Sequence, residues 1–295
     1  MKLSGLYTAM ITPFEKDGSL DKEGFIKNIH FQIEQGVDGL LILGTTAETP
    51  TLSFEEKETL IEIAVKEING NIPLMVGTGS NSTKKTIELT KRAKELGANS
   101  ALIVTPYYNK PTQQGILKHF EAITQSTKIP IVIYNIPSRT GTNIETKTLK
   151  KLSEFDYIIA VKEASGSISQ IQNIISEISF SNPYFSFLSG DDALTLPMIA
   201  LGGNGVISVI SNLIPKQMKE LVSACLQQDF EHAKKLHYRL LPLFKAAFIE
   251  TNPIPIKTAM NMCSLPAGPC RLPLCEMSQQ NIDILKNLLK EPGNI

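Results

Sequence analysis

Pro130-Ile131-Val132-Ile133-Tyr134-Asn135 and Ile158-Ile159-Ala160-Val161-Lys162-Glu163 are the two runs on which the fold turns. Each is apolar and rich in β-branched residues almost without interruption. A strand with one face in water alternates apolar with polar residues, whereas a strand covered on both faces does not. Between the two runs, residues 146–155 show helical spacing. Parallel neighbours cannot be joined by a tight hairpin. They need a crossover, usually a helix, and those helices cover the sheet faces.

The same unit recurs in both directions along the chain. Residues 5–12, 39–44, 73–77, 101–105, 185–189 and 205–209 bring the apolar runs to eight. Helical patterns fill the intervals at 20–35, 53–68, 82–96, 114–126, 167–179 and 193–201. Ser53 followed three residues later by Glu56 reads as a capping box, and Gly97 as a helix stop. Eight strand–helix repeats predict an α/β protein of the (β/α)8 TIM-barrel type. An open, doubly wound sheet is the competing reading, because periodicity does not prove closure. Beyond the eighth run only helices follow, at 216–228, 230–248, 256–262 and 278–289. The expected organisation is a barrel over residues 1–228 carrying the active site, then a C-terminal helical region over 229–295. The proline- and glycine-rich stretch 265–273 is expected to be a flexible linker.

Composition narrows the function classes. The chain has 295 residues, 42% hydrophobic and 20% charged, with formal net charge zero. That is ordinary for a globular protein, and no basic tract points to nucleic acid or an anionic membrane surface. No apolar stretch approaches the roughly 20 residues that span a bilayer. The start lacks a basic segment followed by an apolar run and a cleavage site, so a cytoplasmic location is expected. The four cysteines, Cys225, Cys263, Cys270 and Cys275, form no Cys-x-x-Cys pair, and they read as free thiols rather than a metal site or disulfides. The four histidines lie in helical patterns without metal-ligand spacing, so no metal is expected.

In parallel barrels the chemistry sits where strands end and βα loops begin. Lys162 closes an otherwise apolar run. Alone, it fits equally a lysine whose stem leaves a strand end for solvent. Functionally it is a buried amine, freed from its proton by burial, that condenses with a carbonyl group. Arginine could not serve, because it does not deprotonate. Tyr134 ends the fifth run and Arg139 follows it. Separately they read as a core phenol and a surface cation. Together they suggest a proton carrier and a carboxylate clamp. After the second run, Gly44-Thr45-Thr46-Ala47-Glu48 offers backbone amides and hydroxyls to a ligand carboxylate, or else a helix cap. The paired Tyr107 and Tyr108 could supply a phenol to the site or pack an oligomer. Gly77-Thr78-Gly79-Ser80 lacks the third glycine of a dinucleotide fingerprint and the lysine of a P-loop.

These motifs resemble, in order and spacing, those of the dihydrodipicolinate synthase family of pyruvate-dependent aldolases. The resemblance runs through Gly44 to Glu48, Thr105 to Pro111, Tyr134 to Gly141, Val161 to Ala164, Ser189 to Asp192 and Gly203 to Ser208, and it covers essentially the whole chain. It implies that Lys162 forms an imine with pyruvate, whose enamine attacks L-aspartate 4-semialdehyde in lysine and diaminopimelate biosynthesis. No cofactor is implied. It further implies a proton relay of Tyr134, Thr45 and Tyr108, the last supplied by a neighbouring subunit of a homotetramer. Thr46 would bind the pyruvate carboxylate, Arg139 the semialdehyde carboxylate, and backbone at Gly190 and Ile207 would line the pyruvate side. Sialic acid and sugar-acid lyases share the barrel and the lysine but generally lack Ser138-Arg139-Thr140-Gly141. A catalytically silent, keto-acid-binding barrel is the alternative of another class, but binding alone needs no nucleophile.

Two departures from the family pattern stand out. Ala47 occupies a position where the family usually has glycine. Lysine-inhibited members carry two histidines and a glutamate where this chain has Phe54, Lys57 and Lys85. Thr49, Asn81 and Tyr107 remain suitable for an effector site, but a lysine in place of the carboxylate repels a second ammonium. Weak or absent lysine inhibition is expected.

Overall fold

Each of the eight apolar runs contains a strand, and in the computed structural model, which describes residues 2–291, the strands close on themselves. They are β1 (Gly5–Ala9), β2 (Gly39–Ile42), β3 (Leu74–Gly77), β4 (Ser100–Val104), β5 (Ile131–Asn135), β6 (Ile158–Glu163), β7 (Ser186–Ser189) and β8 (Gly205–Ser208). Every neighbour pairs in parallel, and β1 meets both β2 and β8. This is the TIM barrel, and the open sheet is excluded. Met1 and the last four residues of the region expected over 229–295 lie outside the described residues.

The continuous apolar runs follow from this arrangement. Alternate residues point inward: Tyr7 and Ala9, Leu41, Met75, Leu102, Val132 and Tyr134, Ala160, Leu188 and Ile207 fill the barrel interior. Their neighbours in sequence, such as Ile131, Ile133, Val161 and Val206, pack outward against helices. Neither face meets water, so neither selects polar residues.

The helices of the first half are α1 (Lys22–Glu34), α2 (Phe54–Ile68), α3 (Thr83–Glu95) and α4 (Gln113–Thr127). Then come α5 (Pro137–Thr140), α6 (Thr146–Leu152), α7 (Ile168–Ser179), α8 (Thr195–Ala200) and α9 (Pro215–Leu226). The predicted capping box at Ser53 is present, with the Ser53 and Glu56 side chains each accepting the other's backbone N–H. On α7, Ile171, Ile174, Ile175 and Ile178 make the buried stripe, each contributing on the order of 1.5–3 kcal/mol by burial. Two local features differ from the sequence reading. The stretch after β5 is a turn of helix, α5, opened by Pro137, whose fixed φ suits a first helical position. The helix expected over 193–201 is a 3₁₀ turn, Asp192–Leu194, followed by α8.

The C-terminal helices α10 (Phe230–Ala246), α11 (Ile254–Met262) and α12 (Gln279–Lys290) share one apolar cluster with the barrel, joining Leu236, Leu240 and Met260 to Met10 and Phe14. The stretch 265–273, expected to be a flexible linker, is tied down. Phe14 N–H donates to the Ala267 carbonyl at 3.2 Å, Asn261 exchanges two hydrogen bonds with the Gly268 backbone, and Lys257 Nζ donates to the Pro269 carbonyl at 2.6 Å. Proline and glycine here shape a fitted turn. Among the described residues no helix is long and apolar enough to cross a membrane.

Candidate active site

Strand parity brings the main candidates together. Ala160 faces the interior, so Lys162, two residues on, also faces it at the C-terminal end of β6. Tyr134 is its register partner on β5, and Nζ lies 4.3 Å from the centre of the phenol ring. The adjacent acid, Glu163, points the other way. Its carboxylate accepts Asn135 Nδ2 at 3.0 Å and the Ser165 N–H at 2.7 Å behind the strand, and burial pushes its pKa up. It fastens the loop after β6 and takes no place beside the amine.

Lys162 is only 5% exposed. Burial pulls its pKa from 10.5 to about 8; the Asp192 carboxylate resists that shift and the Arg139 guanidinium adds to it. At pH 7 about one molecule in ten then carries a free amine, against about one in three thousand for an ordinary lysine. Asp192 opens the 3₁₀ turn after β7. Burial raises its carboxyl to about 6, against hydrogen bonds from Ser208 and from the Ile210 and Val209 N–H groups, both at 3.1 Å. Tyr134 is pushed up to about 12 by burial, with Arg139 and a hydrogen bond to the Thr45 side chain acting against it. Its phenol therefore stays protonated, a donor that can pass a proton on.

Backbone geometry frames the amine. A Cβ on Gly190 would stand 2.8 Å from Ala164 Cβ and 3.1 Å from Lys162 Cε, so only glycine lets the chain pass this close to the lysine stem. Ile207 faces the interior from β8, wholly buried. Thr45 and Thr46 open the 3₁₀ turn that follows β2. Thr45 reaches Tyr134, while Thr46 accepts a hydrogen bond from Asn252 Nδ2 at 3.0 Å. Arg139, on α5, donates from Nη2 to the Asn252 carbonyl at 3.2 Å. Ala47 is buried and its carbonyl accepts the Thr12 hydroxyl at 2.8 Å, so its methyl group is accommodated within the turn.

A cavity of about 400 Å³ starts at Thr45, Tyr134 and Arg139 and runs outward between α2 and α3, past Phe54, Lys57 and Lys85. Lys162 lies against the Tyr134 ring rather than on the cavity wall. The wall carries Lys57, Lys85, Arg92 and Arg139 against one carboxylate, Glu58, which pairs with Arg92. This excess of positive charge favours anionic substrates. Lys57 is held below the usual lysine range by burial and by the charge of Lys85. Thr49 and Tyr107 also line the cavity. Asn81 does not, and its carbonyl accepts Asn109 Nδ2 at 2.8 Å. Tyr108 stands apart: it is 90% exposed, at φ 72°, and lines no part of this cavity. Among the described residues no three His, Cys, Asp or Glu side chains group as metal ligands do.

Three contributors escaped the sequence reading. Asp192 closes the motif Ser189 to Asp192, where the sequence alone marks no role for it. Asn252 meets Thr46 across 206 positions. Lys257 is buried on α11 and pairs with Glu48, in the same turn, at 2.8 Å across 209 positions. For Asp192 the signal was present, an acid three residues past a strand end. For the other two, no local pattern marks contacts that distant.

Comparison with known proteins agrees with this geometry. The family model described as the dihydrodipicolinate synthetase family matches residues 2–292. The 4-hydroxy-tetrahydrodipicolinate synthase of Protochlamydia amoebophila is 58% identical over 291 residues, covering 99% of this chain and 97% of the relative. The enzyme of the same name from Methanocaldococcus jannaschii is 51% identical over 292 residues, covering 99% of each. The crystal structure of dihydrodipicolinate synthase from Thermotoga maritima superposes with a TM-score of 0.97 at 42% identity, over the full length of both chains.

Proposed function

This chain belongs to the dihydrodipicolinate synthetase family, and we infer that it condenses pyruvate with L-aspartate 4-semialdehyde to give 4-hydroxy-tetrahydrodipicolinate, in lysine and diaminopimelate biosynthesis. The observation that carries the mechanism is the buried amine of Lys162, with its pKa drawn down to about 8, against the Tyr134 ring.

The free amine of Lys162 adds to the ketone of pyruvate, and the carbinolamine loses water to give an iminium. Loss of a methyl proton converts the iminium to an enamine, which attacks the semialdehyde's aldehyde carbon. The substrate's own amine then displaces Lys162 and closes the ring, returning the lysine free. Each step moves a proton. Hydrogen-bonded hydroxyls in a site that excludes water suit that task, and the Thr45–Tyr134 contact supplies two of them. We assign the third to Tyr108. Its exposure on a single chain fits a side chain covered by, and donated to, a neighbouring subunit, as a homotetrameric dimer of dimers would arrange.

We assign the pyruvate carboxylate to Thr46, with backbone at Gly190 and Ile207 lining that side, and the semialdehyde carboxylate to Arg139 at the mouth. A guanidinium on a carboxylate offers two parallel hydrogen bonds. The ammonium groups of Lys57 and Lys85 oppose binding of L-lysine in the outer cavity beside Thr49 and Tyr107. The free state of all four cysteines supports a reducing, cytoplasmic location.

The imine is tested by adding borohydride to protein and pyruvate and mapping the adduct by mass spectrometry. A reduced pyruvyl group on Lys162, absent from Lys162→Ala, is expected. An adduct elsewhere, or none, would overturn the assignment.

A further inference from the structure

The contact between Asn252 and Thr46 has a chemical direction. Asn252 is 4% exposed, on the segment that leads into α11, and its Nδ2 donates to Thr46 Oγ1 at 3.0 Å. A threonine hydroxyl has one proton and two lone pairs. With a lone pair engaged by the amide behind it, the hydroxyl must give its proton elsewhere. Among the described residues Thr46 Oγ1 makes no other hydrogen bond. The amide oxygen, Oδ1, is buried without a partner, so the amide is not placed for its own satisfaction. The opposite amide orientation would put Oδ1 against Thr46 and consume the very proton that a carboxylate ligand needs.

We propose that Asn252 is a positioning residue that fixes the Thr46 hydroxyl as a donor toward the pyruvate carboxylate, while its own carbonyl holds Arg139 for the second substrate. The side chain and the backbone of one residue thus serve the two substrates separately. The segment that follows is anchored on the same turn by the buried Lys257–Glu48 pair at 2.8 Å, so a C-terminal helix outside the eight-fold repeat holds both carboxylate sites. This rests on Thr46 being the pyruvate ligand, as assigned above.

The two claims separate in one set of kinetic measurements. Thr46→Val is expected to raise the pyruvate KM; an unchanged KM would remove the assignment of Thr46, and this inference with it. Asn252→Asp keeps the shape but replaces the donor by a carboxylate, which accepts the hydrogen bond of the Thr46 hydroxyl and so turns its lone pairs toward pyruvate. The pyruvate KM relative to the parent should rise about tenfold or more at pH 8 and fall back toward the parent as the pH drops and the buried acid takes up a proton, becoming a donor again. The charged groups along these segments are Arg139, the Glu48–Lys257 pair and Glu250, whose carboxylate accepts from Ser278 and Asn281. They are present in both proteins, so the ratio to the parent isolates position 252. The semialdehyde KM should stay within about twofold, because the Asn252 carbonyl survives. Asn252→Ala should raise the pyruvate KM severalfold at all pH values, and it decides the matter should the aspartate variant fail to fold. A ratio for Asn252→Asp that does not change with pH, a semialdehyde KM rising in step with that of pyruvate, or an unaltered pyruvate KM in Asn252→Ala would overturn the proposal.

Discussion

Lys162 was visible in the sequence because of where it stands, not what it is. A lysine in the last turns of a strand buried on both faces has no solvent to reach, and the structure leaves it 5% exposed with its pKa near 8. Tyr134, at the end of the neighbouring run, and Arg139, in the stretch that follows it, were legible as candidates on the same ground. Asp192 was not, because its effect on the lysine is electrostatic and depends on burial that no local pattern displays. Its carboxylate favours the ammonium form, so neutralising it must lower the lysine pKa further. Asp192→Asn keeps an oxygen for the Val209 and Ile210 N–H groups and removes the charge. Its kcat/KM profile should have its Lys162 inflection shifted to lower pH, with activity at pH 7 raised about two- to fivefold relative to its own plateau. An inflection moved upward would show that the charge acts otherwise.

Among the elements, the strands were the most readable and the loops the least. Period-two inward and outward packing explains why eight runs lost their polar residues, and it also assigns Lys162 to the interior and Glu163 to the back of β6. The stretch 265–273 shows the limit of composition: proline and glycine suggest a loose linker until their partners, on residues as distant as Phe14 and Glu56, come into view. Arg271 in this stretch grips Glu56 with two guanidinium nitrogens, while its N–H donates to Glu48 at 2.8 Å. Glu48 therefore sits wholly buried between Lys257 and the Arg271 backbone. Removing one partner of such a pair strands the other charge. Lys257→Met should cost about 3–5 kcal/mol in urea unfolding, and Lys257→Met with Glu48→Gln together distinctly less. Equal losses for the single and double variants would mean that packing, not charge, dominates there.

For the molecule as a whole, the barrel, its amine and its positive cavity agree with family membership over residues 2–292. In the outer cavity Lys57 and Lys85 line the wall together. An added ammonium there meets like charge, so millimolar L-lysine should leave the initial rate within about twofold, and micromolar inhibition would contradict that reading. Light scattering should return the mass of four 32.4 kDa chains. The most direct test of the central claim is turnover of pyruvate by the purified protein with L-aspartate 4-semialdehyde, set beside N-acetylmannosamine and glyceraldehyde as acceptors. Turnover confined to the semialdehyde, and lost in Lys162→Ala, is the predicted result. Turnover with a sugar-derived acceptor alone would keep the amine chemistry but contradict the substrate, and Arg139 would then need another role.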